Sequence, residues 1–237
     1  MLAVFTLFGL SHIAALLCIA ALTVFAVWAC RKDAKSKTAK TCIGLLAFLC
    51  FSIYPLQQIF HTVVGGVVKV EDIYPFHLCD IAAVICGFAL ITRKPSLCEL
   101  AYFWGLAGTL QGLLTPDLNH DFPNPVFLIF FTIHGAIVAT ALLLPLGLGW
   151  KPRPKATLRV FIWVLVYTAG ALIINAIMGS NFGFLTHKPE NASLLDIMGP
   201  WPWYILVLLL MAGLIFWFLS WPFKRFNQGK SKAPELN

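Results

Sequence analysis

The sequence is poor in charge. Only 11% of its 237 residues are Asp, Glu, Lys or Arg, and acidic residues number 10 in all. Soluble domains carry about 25% charged and about 45–50% apolar residues, whereas this chain is 59% apolar. So few charges exclude an ordinary water-soluble domain, and the apolar content excludes a disordered chain. The composition therefore indicates a polytopic membrane protein.

Lys and Arg are also missing before the first apolar run, which begins at about Val4. A secretory signal peptide has a positively charged start and a short apolar core. Here the run continues to Cys30 and the basic residues follow it. We therefore predict that this segment stays in the protein as a membrane span.

Long apolar runs are what the chain has in abundance. A helix needs roughly 17–25 mainly apolar residues to cross the hydrocarbon core of a bilayer. Seven segments meet this condition: Val4–Cys30, Thr41–Val64, Tyr74–Thr92, Ser96–Leu114, Pro125–Trp150, Leu158–Gly179 and Trp201–Trp221. The predicted fold class is all-α, a bundle of seven transmembrane helices. It forms one domain over residues 1–223, followed by a flexible basic tail over residues 224–237.

The basic residues fall in alternate connections between these segments. Fifteen of the 17 Lys and Arg lie in the first, third and fifth connections, at the adjoining helix starts or in the tail, which leaves only Lys69 and Lys188 on the other side. Short cytoplasmic loops accumulate Lys and Arg. We therefore expect the N-terminus outside and the C-terminus in the cytoplasm. The net charge of +7 marks this orientation, and no nucleic-acid partner is expected.

The few polar side chains inside the predicted spans are concentrated in their outer halves. Ionisable groups within a membrane are costly and are candidates for function. Gln57 and His61 are spaced i, i+4 and His77 and Asp80 i, i+3, so each pair shares a helix face. These observations predict a polar cavity open to the outer leaflet. The other members are His12, Gln58, Cys79, Gln111, Thr115, His134, Asn175 and Asn181.

The seven cysteines do not form a disulfide pattern, because none lies in a predicted outer loop. Cys79 alone lies near the outer polar cluster. A buried thiol is usually a small hydrophobic group, but beside a base it is a nucleophile, and His134 is the base we consider. Sequence alone does not establish that the two meet.

Six blocks of sequence resemble the YwaF family of bacterial integral membrane proteins. They are Pro75–Asp80, Glu99–Asp117, Phe131–Gly135, Asn175–Asn181, Lys188–Asp196 and Gly199–Tyr204. That family is similar to the eukaryotic transmembrane protein 164, an acyltransferase that moves fatty acyl chains onto phospholipids with a Cys and a His. It resembles more remotely the androgen-induced-type membrane hydrolases of lipid esters, which use Thr and His.

The resemblance implies a multi-pass protein of the bacterial cell membrane whose substrate is a membrane phospholipid. It assigns the nucleophile to Cys79, as a thioester acyl-enzyme, and the base to His134. No cofactor and no metal are expected. Transfer and hydrolysis both stay open, as do the acyl donor and the oligomeric state. Substrate-binding or orienting roles are expected for His77, Asp80, His61, Gln111, Asn175, Asn181 and Lys188.

Two other functions remain compatible with the residues. A metal-dependent hydrolase would bind Zn²⁺ through His61, His77, His134 and Asp80, which have suitable ligand chemistry, although no His-Glu motif or i, i+4 His pair is present. A transporter or ligand-binding protein would also use seven spans and a polar outer pocket. Glycine-interrupted helices in matching halves would favour a transporter, and the sequence lacks such a pair.

Overall fold

The computed structural model describes residues 4–64, 70–189 and 193–230, and the regular elements of that part of the chain are helical. This confirms the predicted all-α class. The α-helices are α1 (Leu10–Lys32), α2 (Lys37–Val64), α3 (Val70–Ile73), α4 (Leu78–Thr92), α5 (Pro95–Trp104), α6 (Leu110–Leu114), α7 (Pro125–Leu146), α8 (Ala156–Met178) and α9 (Trp203–Lys230). A π-helical segment, Gly105–Thr109, joins α5 to α6, and short 3₁₀ turns cover Phe182–Phe184 and Leu194–Met198.

In the part of the chain that the structure describes, four helices are long and apolar enough to cross a membrane: α1, α7, α8 and the Trp203–Phe223 part of α9. Helix α4 is equally apolar but has only 15 residues. Large apolar side chains are exposed along the spanning helices, for example Ile177 at 78% and Leu210 at 69%. Such faces are suited to contact with lipid rather than water.

Six helix ends meet at one end of the molecule, which we call the basic end. Helices α1, α4 and α7 finish there, and their residues Cys30, Leu90 and Leu143 pack in one apolar cluster with Ala39 at the start of α2. The starts of α5 and α8 join them through the side chain of Glu99. The connections and the adjoining helix ends carry Arg31, Lys32, Lys35, Lys37, Arg93, Lys94, Lys151, Arg153 and Lys155.

Glu99 is a buried charge that holds two of these helix starts together. Its carboxylate is 2% exposed and accepts hydrogen bonds from the guanidinium groups of Arg153 and Arg159 at 2.7–3.1 Å. It also accepts the backbone N–H of Arg153. Hydrogen bonding to Glu99 raises the pKa of Arg153. Buried carboxylates persist where opposite charge and donors surround them, so Glu99 fixes α5 against the α7–α8 connection.

The opposite end, which we call the polar end, is closed by the chain before α1. Helix α1 begins at Leu10 and not at Val4 as predicted, because the preceding residues pair with the segment after α6. Val4 bridges to His120, and the N–H of Phe5 donates to the Asn119 carbonyl. These apolar residues form a strap across the helix ends, and their hydropathy alone does not distinguish a strap from a helix.

Other boundaries also differ from the predicted spans. Helix α7 stops at Leu146 rather than Trp150, at a turn in which Gly149 has a φ of +66°, a conformation that glycine adopts without strain. Helix α4 begins at Leu78 rather than Tyr74, after the separate short helix α3. Helix α9 begins at Trp203 and runs past the predicted end of the span at Trp221, so the backbone over residues 222–230 is also helical.

The predicted fourth span is interrupted. Between α5 and α6 the backbone N–H of Leu110 reaches back to the carbonyl of Gly105, an i→i+5 bond. Such π segments are rare and often mark functional sites. Gly105 packs so closely on α7 that a Cβ would lie 2.9 Å from the Cβ of Ala141. Within the described chain, Trp104 Nε1 and Thr109 Oγ1 at the two ends of this segment are buried without a hydrogen-bond partner.

Candidate functional site

Cys79 is the second residue of α4. His77 is the N-cap residue, and its backbone N–H donates to Asp80 Oδ2 at 3.1 Å in a capping box. This bond caps the start of α4, and His77 itself precedes the helix with an extended backbone, so the two residues do not meet through the predicted shared helix face. Cys79 is half-buried and packs against the main apolar core. A helix start favours negative charge, which suits a thiolate or a developing oxyanion.

His134 lies on α7 with its ring 7% exposed. Its Nδ1 is 2.9 Å from the carbonyl oxygen of Phe130, and the two rings stack with centroids 4.0 Å apart. A carbonyl only accepts, so Nδ1 is the donor and, in the neutral ring, the lone pair is on Nε2. Nε2 lies on the side facing Gly112, where a Cβ would be 3.0 Å from it. His134 is therefore held in the tautomer that a general base needs.

Cys79, His134 and Tyr167 lie at similar depths in the bundle. Cys79 is 13 residues from the end of α4 and His134 is 12 from the end of α7, both counted from the basic end. At 1.5 Å per residue these separations are about 20 and 18 Å. Tyr167, 11 residues into α8, lies at about 17 Å. The three side chains thus come from three helices at one level.

Tyr167 is a site residue that sequence reasoning missed. Its hydroxyl donates to the Phe76 carbonyl at 3.2 Å, two residues before α4 begins at Leu78. In a sequence, a single tyrosine within an apolar helix is ordinarily interpreted as a residue that packs in the core. The sequence offers one indication of its role: a tyrosine hydroxyl in the middle of an apolar helix usually needs a hydrogen-bond partner when it is buried.

His77 is a second imidazole of the candidate site, at the N-cap of α4. Its Nδ1 accepts a long hydrogen bond, 3.4 Å, from the N–H of Gly183. Its ring also packs against Phe182 and Phe184. His77 therefore connects the start of α4 to the loop after α8, and the substrate-binding or orienting role expected for it stays a prediction.

Asn175 and Asn181 build that loop. Asn175 donates to the Phe182 carbonyl and accepts from the Phe182 N–H and from Ser180 Oγ. Asn181 donates to the His187 carbonyl and accepts from Thr186. Both side chains are buried, and these bonds give each a structural role. Their expected contact with substrate stays a prediction.

The remaining predicted residues are dispersed. Lys188 donates to the Asp196 carbonyl at 3.3 Å and lies over the Tyr204 ring. Gln111 is half-buried on α6. The backbone of His61 belongs to α2, but its side chain lies outside the described residues, and so does that of Gln57. Among the described His, Cys, Asp and Glu side chains, no group of three is placed to hold a metal ion.

His12, another predicted member of the polar cluster, is fully buried and joins α1 to α6. Its Nδ1 accepts from the Phe8 N–H at 3.0 Å, so Nε2 donates to the Leu113 carbonyl at 2.8 Å. Both ring nitrogens are thus used within the fold.

A bundle of long helices with lipid-suited apolar faces and a layer of polar side chains inside defines a helical membrane protein. A model of the TMEM164 family matches residues 7–220. The chain belongs to the TMEM164 family, which confirms the relationship predicted from the six sequence blocks. It is also 27% identical over 158 residues to an uncharacterized protein from Treponema pallidum (strain Nichols). This match covers 67% of the chain and 65% of that relative. No solved structure matches the chain.

Proposed function

We propose that the protein is a multi-pass enzyme of the bacterial cell membrane that transfers acyl chains of phospholipids, with Cys79 as nucleophile and His134 as base. The observation that carries the proposal is the tautomer of His134. Its Nδ1 is bound to the Phe130 carbonyl and its Nε2 has the lone pair. Family membership adds the acyl transfer implied by the sequence resemblance.

The proposal includes seven spans with the N-terminus outside and the C-terminus in the cytoplasm. Helix α2 has 28 residues, and Pro95–Leu114 forms a helical run of 20, about 30 Å at 1.5 Å per residue. This length matches the hydrocarbon core of a bilayer. Helix α4 supplies the shortest span, extended at the polar end by residues 74–77. The concentration of Lys and Arg at the basic end supports a cytoplasmic location for that end.

The chemistry follows in two steps. Nε2 of His134 takes the proton of the Cys79 thiol as the sulfur attacks the ester carbonyl carbon of a phospholipid. The ester C–O bond then breaks, the lysophospholipid oxygen takes the proton from His134, and the acyl chain remains on sulfur as a thioester. The hydroxyl of a second lipid, or water, reverses the sequence and frees the thiol.

Trp104 supports this chemistry. Its buried indole N–H has no acceptor among the described residues, and its ring packs against Tyr167, with centroids 6.2 Å apart. A buried donor without a partner is costly. The carbonyl oxygen of a bound ester, which gains negative charge during the attack, would supply the missing acceptor.

The test is acyl transfer by the purified full-length protein in nanodiscs, with an isotope-labelled phospholipid as donor and a lysophospholipid as acceptor. Cys79→Ala should abolish transfer, and His134→Ala should lower it by about 10²-fold or more. Mass spectrometry of the wild type should find the labelled acyl group on Cys79. If the labelled acyl group were instead released as free fatty acid, the reaction would be hydrolysis by the same two residues.

Cys18→Ala is the matched control, because it removes an exposed thiol from α1 and should leave the rate unchanged. Thermal unfolding of each variant shows whether the fold is intact. Full activity of folded Cys79→Ala, or an acyl group on another residue, would contradict the proposal.

A further inference from the structure

A groove of about 570 Å³ opens on the outside of the bundle near the basic end. One wall is the last third of α1 and the other is the end of α7, including Leu142 and Leu146. On α1 the lining residues Val24, Trp28 and Arg31 follow helical spacing, so they form one continuous face. The groove lies within about 14 Å of the basic end along α1, whereas Cys79 and His134 lie about 18–20 Å from that end.

The groove is apolar along its length and positively charged at one end. Its lining residues Val24 and Leu146 are 67% and 51% exposed. Arg31 and Lys32 form its mouth, and both are exposed. The ammonium group of Lys32 lies 5.3 Å from the centroid of the Trp28 ring. Aromatic rings beside basic residues are typical of the lipid headgroup level.

Neither Arg31 nor Lys32 forms a salt bridge with another described residue. The salt bridges in that part of the chain join Glu99 to Arg153 and to Arg159. Arg31 also lines a second, smaller groove of about 400 Å³ formed with Pro145, Gly147 and Gly149. Arg31 therefore lines both grooves. An anion bound there would interact with Arg31 and Lys32 together.

The length of the groove fits one leaflet. From Thr23 to Lys32 the helix rises about 14 Å at 1.5 Å per residue, close to half of a hydrocarbon core about 30 Å thick. An acyl chain lying along Val24 and Leu142 would therefore have its headgroup at the two cations. Thr23, the polar residue of the wall, already donates to the Ile19 carbonyl at 2.7 Å and needs no ligand.

We propose that this groove is a binding site for a phospholipid with an anionic headgroup, which places its acyl chain between α1 and α7 and its phosphate at Arg31 and Lys32. Basic pockets between transmembrane helices are suited to such headgroups. The proposal is independent of acyl transfer by Cys79, since the groove lies on the outside of the bundle, is lined by other residues and needs no reaction.

Native mass spectrometry of the full-length protein in mild detergent tests the site, with phosphatidylglycerol and phosphatidylcholine of identical chains as probes. We expect phosphatidylglycerol to bind more tightly, by about tenfold or more. The double variant Arg31→Gln/Lys32→Gln should lose that preference. The matched control Lys37→Gln/Lys40→Gln removes two exposed charges from the start of α2, outside the groove, and should retain it.

Two further measurements separate the groove from general surface charge and from free phosphate. Val24→Trp fills the groove while keeping both cations, so it should weaken phosphatidylglycerol binding as much as the charge variant does. Millimolar inorganic phosphate should not displace the lipid. Equal loss in the control variant, unchanged binding in Val24→Trp, or displacement by phosphate would each overturn the proposal.

Discussion

Gly112 lies against the imidazole of His134 with no room for a side chain. A Cβ at position 112 would be 2.8 Å from Cδ2 and 3.0 Å from Nε2 of that ring. The ring cannot move away freely, because Nδ1 is bound to the Phe130 carbonyl and the Phe130 ring stacks on it. The glycine on α6 therefore sets where the lone pair of His134 lies.

Gly112→Ala should displace the His134 ring and lower acyl transfer by tenfold or more. It should also destabilise the fold by about 1–3 kcal/mol, which is typical of an overpacked core. The matched control is Gly170→Ala on α8, where the new methyl group meets nothing within 4 Å. Kinetics and thermal unfolding in nanodiscs would measure both effects. A fully active Gly112→Ala protein would show that the position of this ring does not matter.

Tyr167→Phe should lower the rate of acyl transfer even in protein that stays folded. The reason is that the hydroxyl binds the Phe76 carbonyl, three residues before Cys79. Tyr102→Phe is a close control. It removes a hydrogen bond of the same 3.2 Å length to the Leu219 carbonyl, far from Cys79. Each loss should cost about 0.5–1.5 kcal/mol of stability. If both variants keep the wild-type rate, Tyr167 has only a structural role.

Glu99→Gln should destabilise the protein by about 1–3 kcal/mol. It removes the charge that Arg153 and Arg159 share, and the partial exposure of both arginines moderates the loss. Lys94→Gln, which removes one exposed charge at the same end of the molecule, should leave the unfolding temperature unchanged. Thermal unfolding at low and high salt would compare them, and an equal effect of the two changes would argue against a specific ion-pair cluster.

His12→Phe should lower stability without a direct effect on chemistry. The change leaves the Phe8 N–H and the Leu113 carbonyl without their partner, and the buried carbonyl alone costs about 1–3 kcal/mol. The exposed His120 offers the control His120→Phe. Unfolding temperature and the rate per folded molecule are the measurements. A lower rate in a fully folded His12→Phe protein would instead give this imidazole a part in the site.

The sequence predicts the helices well where apolar runs are long, as for α1, α7, α8 and α9. It fails at Val4–Gly9, because an apolar strap that pairs with residues 119–120 has the same composition as a helix start. The π segment was also missed. Its two glycines hinted at an irregular helix, but the close approach of Gly105 to Ala141 is a tertiary contact that no local pattern contains.

Within the site, the sequence predicts local relationships better than distant ones. The backbone N–H of His77 donates to the Asp80 carboxylate at the start of α4, a contact between neighbours in sequence, although His77 precedes the helix and its backbone is extended. The contact of Tyr167 with Phe76 joins residues 91 positions apart, and the ring of His134 faces a glycine from another helix. Such pairs depend on how the helices pack, so a single sequence does not reveal them.

The π segment Gly105–Thr109 also couples the two ends of the molecule. An i→i+5 turn contains one residue more than an α-helical turn, and each residue of a helix adds about 100° of rotation. Glu99 before the segment faces its arginines, and Gly112 after it faces His134. A deletion of one residue between them would turn one end away from its partners. Among relatives we therefore expect the length of this segment to be kept even where its residues differ, so that alignments should be free of gaps there.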